Sequence, residues 1–323
     1  MERRHLLLAG GTALLWPLAA SAQQQRRLVA TLTLGSQASV GSLFETFRRA
    51  LAQRGHDTDK VAIESRWADG QSARLPALAA ELVRLAPDVI LAGQSQSAKA
   101  LKQATATIPI VFAVSDDPVG TGLVASLGHP GGNLTGLSFA QEDTLGRELQ
   151  LLKTIAPAAD RIGVLANPGN PTAGLMLRIT KQAASALAAE AVPAEARSPA
   201  EIQHAFTALS NAGADALLVF GDGLFTSERK RLIALAEKHH LPAIYHDHIF
   251  VEDGGLMSYG GDFADNYRGA AALVDKILKG AKPDDLPVQE PNKFYLYLNR
   301  KTAVALGLAI PPLLEAQADK VIK

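Results

Sequence analysis

Short apolar runs rich in β-branched residues recur along the chain, and most are followed by a stretch with the apolar period of an amphipathic helix. This alternation predicts an α/β fold whose strands are parallel and buried on both faces. The clearest run covers residues 108–114 and ends in polar residues that include Asp116 and Asp117. Because open α/β sheets bind ligands at the carboxyl ends of their strands, such endings are the candidate site.

A partial internal repeat predicts two lobes built on one plan. Residues 86–93 and 108–112, followed by Asp116, return in the same order as residues 214–221 and 241–245, followed by Asp247. We therefore predict two Rossmann-like lobes with parallel sheets that face each other across a cleft. The alternative is that any two βαβ units look alike at this level.

Glycine- and proline-rich segments predict where the chain crosses between the lobes. Residues 131–138 and 254–260 are β-like segments bracketed by glycine, and three prolines mark a third crossing between 283 and 291. The predicted lobe one comprises residues 27–137 and 257–284. The predicted lobe two comprises residues 138–256 and 285–323, and the helix near 266–278 is expected to return to lobe one.

The first 22 residues have the features of an export signal. A basic segment precedes an apolar stretch over 6–19 that is too short to span a bilayer, and Ala20-Ser21-Ala22 fits a signal-peptidase site. We predict cleavage after Ala22 and a periplasmic mature chain. The paired arginines fit a twin-arginine export signal, but ordinary Sec export accounts for the segment at least as well. An uncleaved membrane anchor is a further alternative.

Composition narrows the function classes. The 323 residues are 47% hydrophobic, which is enough for two cores, and 32 basic residues balance 32 acidic ones. This balance gives no reason to expect nucleic acid or an anionic membrane as a partner. The absence of cysteine excludes disulfides, thiolate nucleophiles and cysteine-ligated metals.

The predicted ligand-binding residues follow a strand or begin the next helix. They are Ser36, Gln37, Gln94, Ser95, Asp116, Asp117, Asn167, Asn170, Asp222, Phe225, Tyr245 and Asp247. Helix N-termini favour a carboxylate, and a buried carboxylate favours an ammonium group. Since adjacent residues of a strand point in opposite directions, at most one of Asp116 and Asp117 should face the cleft, and we favour Asp117, opposite Asp247.

Each of these residues also has a purely structural interpretation. The serines and amides could cap helices or shape turns, and the aromatic residues, together with Phe112, could belong to the core. The candidate loops contain no arginine or lysine to clamp a dianion, which favours a zwitterionic or neutral solute such as an amino acid or an aromatic or amide relative.

No catalytic or cofactor motif is present: the chain lacks a P-loop, a dinucleotide-binding glycine motif and a nucleophile elbow. Four histidines lie between 239 and 248, but their spacing does not predict a metal site. We therefore expect neither catalytic residues nor a cofactor. The alternative is a periplasmic enzyme that uses Asp117, Asp247 and His246 for acid–base chemistry on a small substrate.

Four motifs carry a resemblance to a known family. Residues 117–127, 130–136, 254–260 and 276–280 resemble, in order, the ABC transporter substrate-binding proteins that include tryptophan- and tyrosine-binding members. The resemblance covers essentially the whole mature chain. It implies a type I periplasmic-binding-protein fold with three hinge strands, and a monomer that delivers a small solute to the membrane subunits of an ABC permease.

Overall fold

The computed structural model describes residues 26–323, so the predicted export signal lies outside the described residues. The first sheet has five parallel strands in the order β2-β1-β3-β4-β5. These strands are β1 (Arg27–Thr33), β2 (Val61–Trp67), β3 (Val89–Ala92), β4 (Ile110–Ser115) and β5 (Leu134–Ser138). Strands β3, β4 and β5 are buried along their whole length, as expected for a sheet covered on both faces.

The second sheet has seven strands in the order β12-β11-β10-β9-β8-β6-β7. They are β6 (Arg161–Ala166), β7 (Glu190–Glu195), β8 (Ala216–Val219), β9 (Ala243–Tyr245), β10 (Met257–Gly260), β11 (Tyr295–Asn299) and β12 (Lys320–Ile322). All neighbouring strands are parallel except β10 and β11. Two mostly parallel, helix-covered sheets in one chain confirm the predicted fold class.

Twelve α-helices cover the sheets in residues 26–323. They are α1 (Gln37–Ala52), α2 (Leu75–Arg84), α3 (Ser95–Ala104), α4 (Gln141–Ile155), α5 (Ala173–Ala186), α6 (Ile202–Asn211), α7 (Gly223–Ser227), α8 (Arg229–Lys238), α9 (His248–Glu252), α10 (Phe263–Leu278), α11 (Arg300–Ala305) and α12 (Pro312–Gln317). None of the helices described is both long enough and apolar enough to cross a bilayer. The apolar faces of α1 and α10 pack together on one side of the first sheet.

Two predicted crossing points differ from the structure. Strand β10 pairs with β9 and β11, so the chain leaves the second sheet after Gly260 and not at residue 257. Gly260 is needed for close packing, because a Cβ at this position would collide with the main-chain oxygen of His246. Residues 286–289 still bond to the first sheet, through Leu286 to Thr135 and through Gln289 to Ser138, so the third crossing begins after Gln289.

Asn266 ties α10 to the strand ends beside the cleft. Its buried side-chain amide donates to the carbonyl oxygens of Ala113, at 3.0 Å, and Ser138, at 3.2 Å. We expect Asn266→Ala to lower the free energy of unfolding by about 1–3 kcal/mol, because two buried acceptors lose their donor. Urea denaturation measures this change, with Asn211→Ala at the exposed end of α6 as the control. Equal stability of the two variants would contradict the assignment.

Candidate ligand-binding site

A cavity lies between the two lobes where the carboxyl ends of both sheets meet. It contains about 450 Å³ of space not filled by atoms, including its mouth toward solvent. The lining residues are Leu43, Gln94, Ser95, Gln96, Val114, Asp116, Phe139, Asn170, Gly221, Asp222, Gly223, Thr226, Phe263 and Tyr267. A closed cavity that is mostly apolar, with a few convergent polar groups, has the form of a small-molecule site.

The carboxylate that lobe one contributes to the cavity belongs to Asp116. Its side chain is buried and its Oδ2 lies 3.3 Å from the hydroxyl of Thr172 in the other lobe. Asp117 points the opposite way and accepts the N–H of Gly120 at 2.6 Å, so it caps the turn after β4. At most one of the two was expected to face the cleft, and the structure places Asp116 in the cavity lining and not the favoured Asp117.

The carboxylate from lobe two belongs to Asp222, at the end of β8. Its Oδ1 accepts from the amide of Asn167 at 3.0 Å and from the N–H of Leu224 at 2.8 Å, which caps α7. Its Oδ2 accepts from the amide of Gln96 in lobe one at 2.5 Å. Asp222 therefore faces Asp116 from the opposite lobe, in the place where the sequence favoured Asp247.

The electrostatics of the cavity are unbalanced. Among the described residues that line it there are two aspartates and no lysine, arginine or histidine. Burial raises the pKa of Asp116 to about 7, with a further increase from the negative charge of Asp222. Burial also raises the pKa of Asp222, while its hydrogen bonds to Asn167, Leu224 and Gln96 act in the opposite direction. A cationic group in the cavity would neutralise charge that the protein leaves uncompensated.

The N-terminus of α3 supplies the complementary polarity. The side chain of Gln94 does not cap this helix; its Oε1 instead accepts from Thr33, at 2.9 Å, and from the N–H of Leu34, at 3.2 Å. The first turn of α3 therefore has no side-chain cap, and its residues Ser95 and Gln96 line the cavity. The buried hydroxyl of Tyr267, which also lines the cavity, has no partner among the described residues. These donors suit an anionic group such as a carboxylate.

Two predicted residues of the first loop do not reach the cavity. Ser36 and Ser39 form a capping box at the start of α1, so the structural interpretation of Ser36 is the correct one. Gln37 is exposed and borders a groove on the outer side of lobe one. The two predicted amides do lie close by: Asn170 lines the cavity and donates to the oxygen of Gly221 at 3.1 Å, and Asn167 holds Asp222.

Three further predicted residues are also structural. Phe225 is fully buried in the core, and Tyr245 stacks on Phe250 with ring centroids 4.6 Å apart. Asp247 caps α9 through the N–H of Ile249 and also accepts from the N–H of Phe263. Phe112 is likewise buried in the core. None of the four lines the cavity.

The alternative enzyme site is not assembled at the cavity. Asp117, Asp247 and His246 are all absent from its lining. Burial lowers the pKa of His246 to about 3, so this imidazole is neutral among its aromatic neighbours Phe139 and Phe263. In the part of the chain that the structure describes, no three histidine or carboxylate side chains are grouped as metal ligands.

The apolar wall comes from residues that the sequence analysis missed. Phe139 follows β5, and Phe263 and Tyr267 lie in the first turns of α10. The rings of Phe139 and Phe263 are 4.6 Å apart, and Leu43 and Val114 complete the wall. The signal that could have found them is their position: each follows directly after a crossing between lobes, and crossings border the cleft.

The two lobes are in contact, so the cleft is closed. Besides the bond from Gln96 to Asp222, the hydroxyl of Ser39 donates to Ser227 at 3.1 Å. Arg229 of lobe two donates to the main-chain oxygen of Ser39 at 2.9 Å. These bonds join the lobes at the rim of the cavity.

Comparison with known proteins identifies the family to which this architecture corresponds. The profile of the family described as ABC transporter substrate binding protein matches residues 29–322. A tyrosine-binding protein of Clostridioides difficile (strain R20291) is 29% identical over 263 residues, which cover 81% of this chain and 75% of the relative. The resemblance noted from the four motifs is confirmed.

Two solved structures share the fold at 26% identity. The ABC domain from Streptococcus pneumonia in complex with L-Trp has a TM-score of 0.84 and covers 92% of this chain and 100% of its own. The ligand-free, open structure of a substrate-binding protein with adhesive properties from Clostridium difficile covers 92% of this chain and 99% of its own, with a TM-score of 0.64. The lower TM-score against the structure described as open agrees with the closed arrangement of the lobes in this chain.

Proposed function

Because this chain belongs to the family of ABC transporter substrate-binding proteins, we propose that it binds an L-amino acid, preferably an aromatic one, in the cleft between its lobes. The ammonium group lies between Asp116 and Asp222. The carboxylate lies on the first turn of α3, near Tyr267. The side chain packs against Phe139, Phe263, Leu43 and Val114.

The observation that carries this proposal is the pair of buried aspartates from opposite lobes, which have no lysine, arginine or histidine beside them among the cavity-lining residues of 26–323. An ammonium group between them would pair with both lobes at once, so it would favour the closed form over the open one. A sugar or an oxyanion offers no such charge. The tyrosine- and tryptophan-binding relatives support the aromatic preference.

The closed, loaded form then docks on a permease, which imports the amino acid. The basic and apolar segments before Ala22 support export of the chain to the periplasm, where such a protein collects its solute. Opening and closing occur at the three crossings between the lobes.

The chain contains a natural fluorescent reporter for the binding test. Its tryptophans are Trp16, within the predicted export signal, and Trp67. The Trp67 ring lies 4.8 Å from Phe44, which lies 5.2 Å from the cavity residue Tyr267. Ligand contact with Tyr267 can therefore change the surroundings of the one tryptophan left in the mature chain.

We expect L-tyrosine to raise the melting temperature of the chain from Gln23 onward and to change Trp67 fluorescence, since a ligand bound only to the folded state stabilises it. The screen compares L-tyrosine, L-tryptophan, L-phenylalanine and L-leucine with inorganic phosphate, sulfate and glucose. Calorimetry then gives Kd values, and recovery of unchanged ligand separates binding from catalysis. Stabilisation by glucose or an oxyanion, with no response to any amino acid, would overturn the proposal.

A further inference from the structure

A buried carboxyl group lies behind the cavity and belongs to none of the contacts proposed for the ligand. Glu148 projects from α4 and is 0% exposed. Its Oε1 lies 2.5 Å from the hydroxyl of Thr144, and its Oε2 has no partner among the described residues. A group with this burial and no counter-charge needs an explanation, because an unpaired buried carboxylate is costly.

The hydrogen-bond geometry around Thr144 favours a neutral Glu148. The hydroxyl group of Thr144 has a single proton but two acceptors within range. They are the main-chain oxygen of Gln141, at 2.9 Å, and Oε1 of Glu148. Both contacts are hydrogen bonds only if Thr144 donates to Gln141 and Glu148 donates to Thr144. Burial raises the pKa of Glu148 to about 8, although the side chains of Thr144 and Gln141 act in the opposite direction, and a neutral acid agrees with this increase.

No cation compensates Glu148 in the described part of the chain. The elements packed against α4 are α5, β8, β9 and β10. The titratable groups on α5, on β10 and on or directly after β9 are Arg178, Lys181, Tyr245, His246 and Tyr259. None of these groups forms an ion pair or hydrogen bond with Glu148 in residues 26–323, and the helix's own Arg147 bonds to Gln317.

Gln141 connects this acid to the ligand cavity. The side-chain oxygen Oε1 of Gln141 accepts a hydrogen bond from the N–H of Gly221 at 2.7 Å. Gly221 is the residue directly before Asp222 in the chain. A Cβ at residue 221 would lie 2.7 Å from that same oxygen, so the approach depends on glycine. The side-chain nitrogen of Gln141 and Oε2 of Glu148 are both buried, and neither has a hydrogen-bond partner among the described residues. The Gln141 side chain also lowers the pKa of Glu148. The two unpartnered atoms are a donor and an acceptor, so they are chemically matched.

We propose that Glu148 is a positioning residue for ligand specificity: as a neutral acid it orients the Gln141 amide, which fixes the Gly221–Asp222 turn that faces the ligand. The hydroxyl of Glu148 donates to Thr144 and its other oxygen accepts from Gln141. The oxygen of the Gln141 amide is thereby directed to Gly221. The effect on affinity rests on the proposed amino-acid binding, whereas the effect on Gly221 does not.

Two variants of similar size separate positioning from packing. Glu148→Gln keeps both hydrogen bonds, with its NH₂ toward Thr144 and its oxygen toward Gln141. Glu148→Met fills the space without either bond. We expect Glu148→Met to weaken L-tyrosine binding about tenfold and Glu148→Gln to stay within about twofold of the unmodified chain at pH 7. The control is Glu237→Met at an exposed position of α8.

A double-mutant cycle tests the route through Gln141. If Glu148 acts through that amide, Glu148→Met combined with Gln141→Leu weakens binding no more than Gln141→Leu alone. Hydrogen exchange of the Gly221 amide adds a readout without ligand: we expect faster exchange in Glu148→Met and unchanged exchange in Glu148→Gln.

Additive effects in the cycle, equal Kd values for Glu148→Met and the unmodified chain, or failure of Glu148→Gln to restore affinity would each overturn the assignment. If the unmodified chain binds no amino acid, the proposed function fails. The exchange rates of Gly221 then decide whether Glu148 positions this turn.

Discussion

Asp116→Asn is expected to weaken the binding of L-tyrosine by about 10- to 100-fold. A hydrogen bond between charged groups contributes about 1.5–3 kcal/mol, and each 1.4 kcal/mol corresponds to a factor of ten in Kd. Asparagine keeps the size of the side chain but removes the charge that faces the ammonium group. Asp222 is a less clean target, because asparagine there would also disturb the contacts with Asn167, Gln96 and Leu224.

The same substitution is expected to affect ligand-free stability in the opposite direction. In the closed protein the pKa of Asp116 is raised to about 7 from 3.8, so the folded state binds more protons than the unfolded state between these values. The contribution of Asp116 to the free energy of unfolding is therefore fully present below about pH 4 and is lost as the pH rises to about 7. Asp116→Asn should escape that loss, and a variant that is at least as stable yet binds more weakly cannot be explained by misfolding.

Calorimetry and thermal unfolding at pH 7.5 measure both effects on one preparation. Asp117→Asn is the matched control, since it changes the neighbouring carboxylate, which only caps the turn at Gly120. We expect this control to bind within about twofold of the unmodified chain. If Asp117→Asn weakens binding and Asp116→Asn does not, the assignment of the cavity carboxylate is wrong.

The fold was predictable because its determinants are local and repeated. Apolar runs such as residues 108–114 leave no polar face, so they can be placed only inside a covered sheet. The exceptions are informative. Strand β12 and helix α12 were missed because they are short pieces near the chain end whose positions depend on tertiary pairing, as with β12 on β11. The glycines of 254–260 predict a crossing, whereas in the structure Gly260 allows close packing against the main chain at His246.

The site was predictable as a place but not as a set of side chains. Strand ends identified the loops that carry Gln94, Ser95, Asp116, Asn170 and Asp222, all of which line the cavity. Whether they contact a ligand stays a prediction.

Which of Asp116 and Asp117 faces the cavity depends on the alternation of side chains between the two faces of β4. The pairing of β4 with β5 shifts register between Phe112 and Ser115, and an irregularity of that kind alters which side chain points inward without a trace in the apolar pattern. The direction of the Asp116 carboxylate therefore had to be seen in the structure.

Capping explains the other differences. Ser36, Asp222 and Asp247 each follow a strand and precede a helix, so the sequence treats them alike. All three cap their helices, and what separates them is the position of the turn relative to the opposite lobe. Of the three, Asp222 lines the cavity and accepts a hydrogen bond across it from Gln96 of lobe one. That relation depends on how the lobes close, which no local pattern encodes.

The pH dependence of ligand preference tests the ammonium site without any mutation. L-Tyrosine supplies a positive charge to the cavity, whereas 3-(4-hydroxyphenyl)propionate has the same ring and carboxylate but no amine. Without that charge, closing the cleft leaves Asp116 buried beside Asp222, and its pKa of about 7 means that it takes up a proton below that value. The amine-free complex therefore holds one proton more than the L-tyrosine complex below about pH 7.

By linkage, the ratio of the two affinities should rise in favour of L-tyrosine as pH increases from 5 to 7, by up to about tenfold per pH unit, because one proton distinguishes the two complexes. The ratio is independent of the protonation of the ligand-free protein, which cancels between the two ligands. Calorimetric competition at pH 5, 6 and 7 measures it. In Asp116→Asn the ratio should change little over this range, since the titrating group is gone. A ratio that stays constant in the unmodified chain would show that Asp116 does not bind the ammonium group.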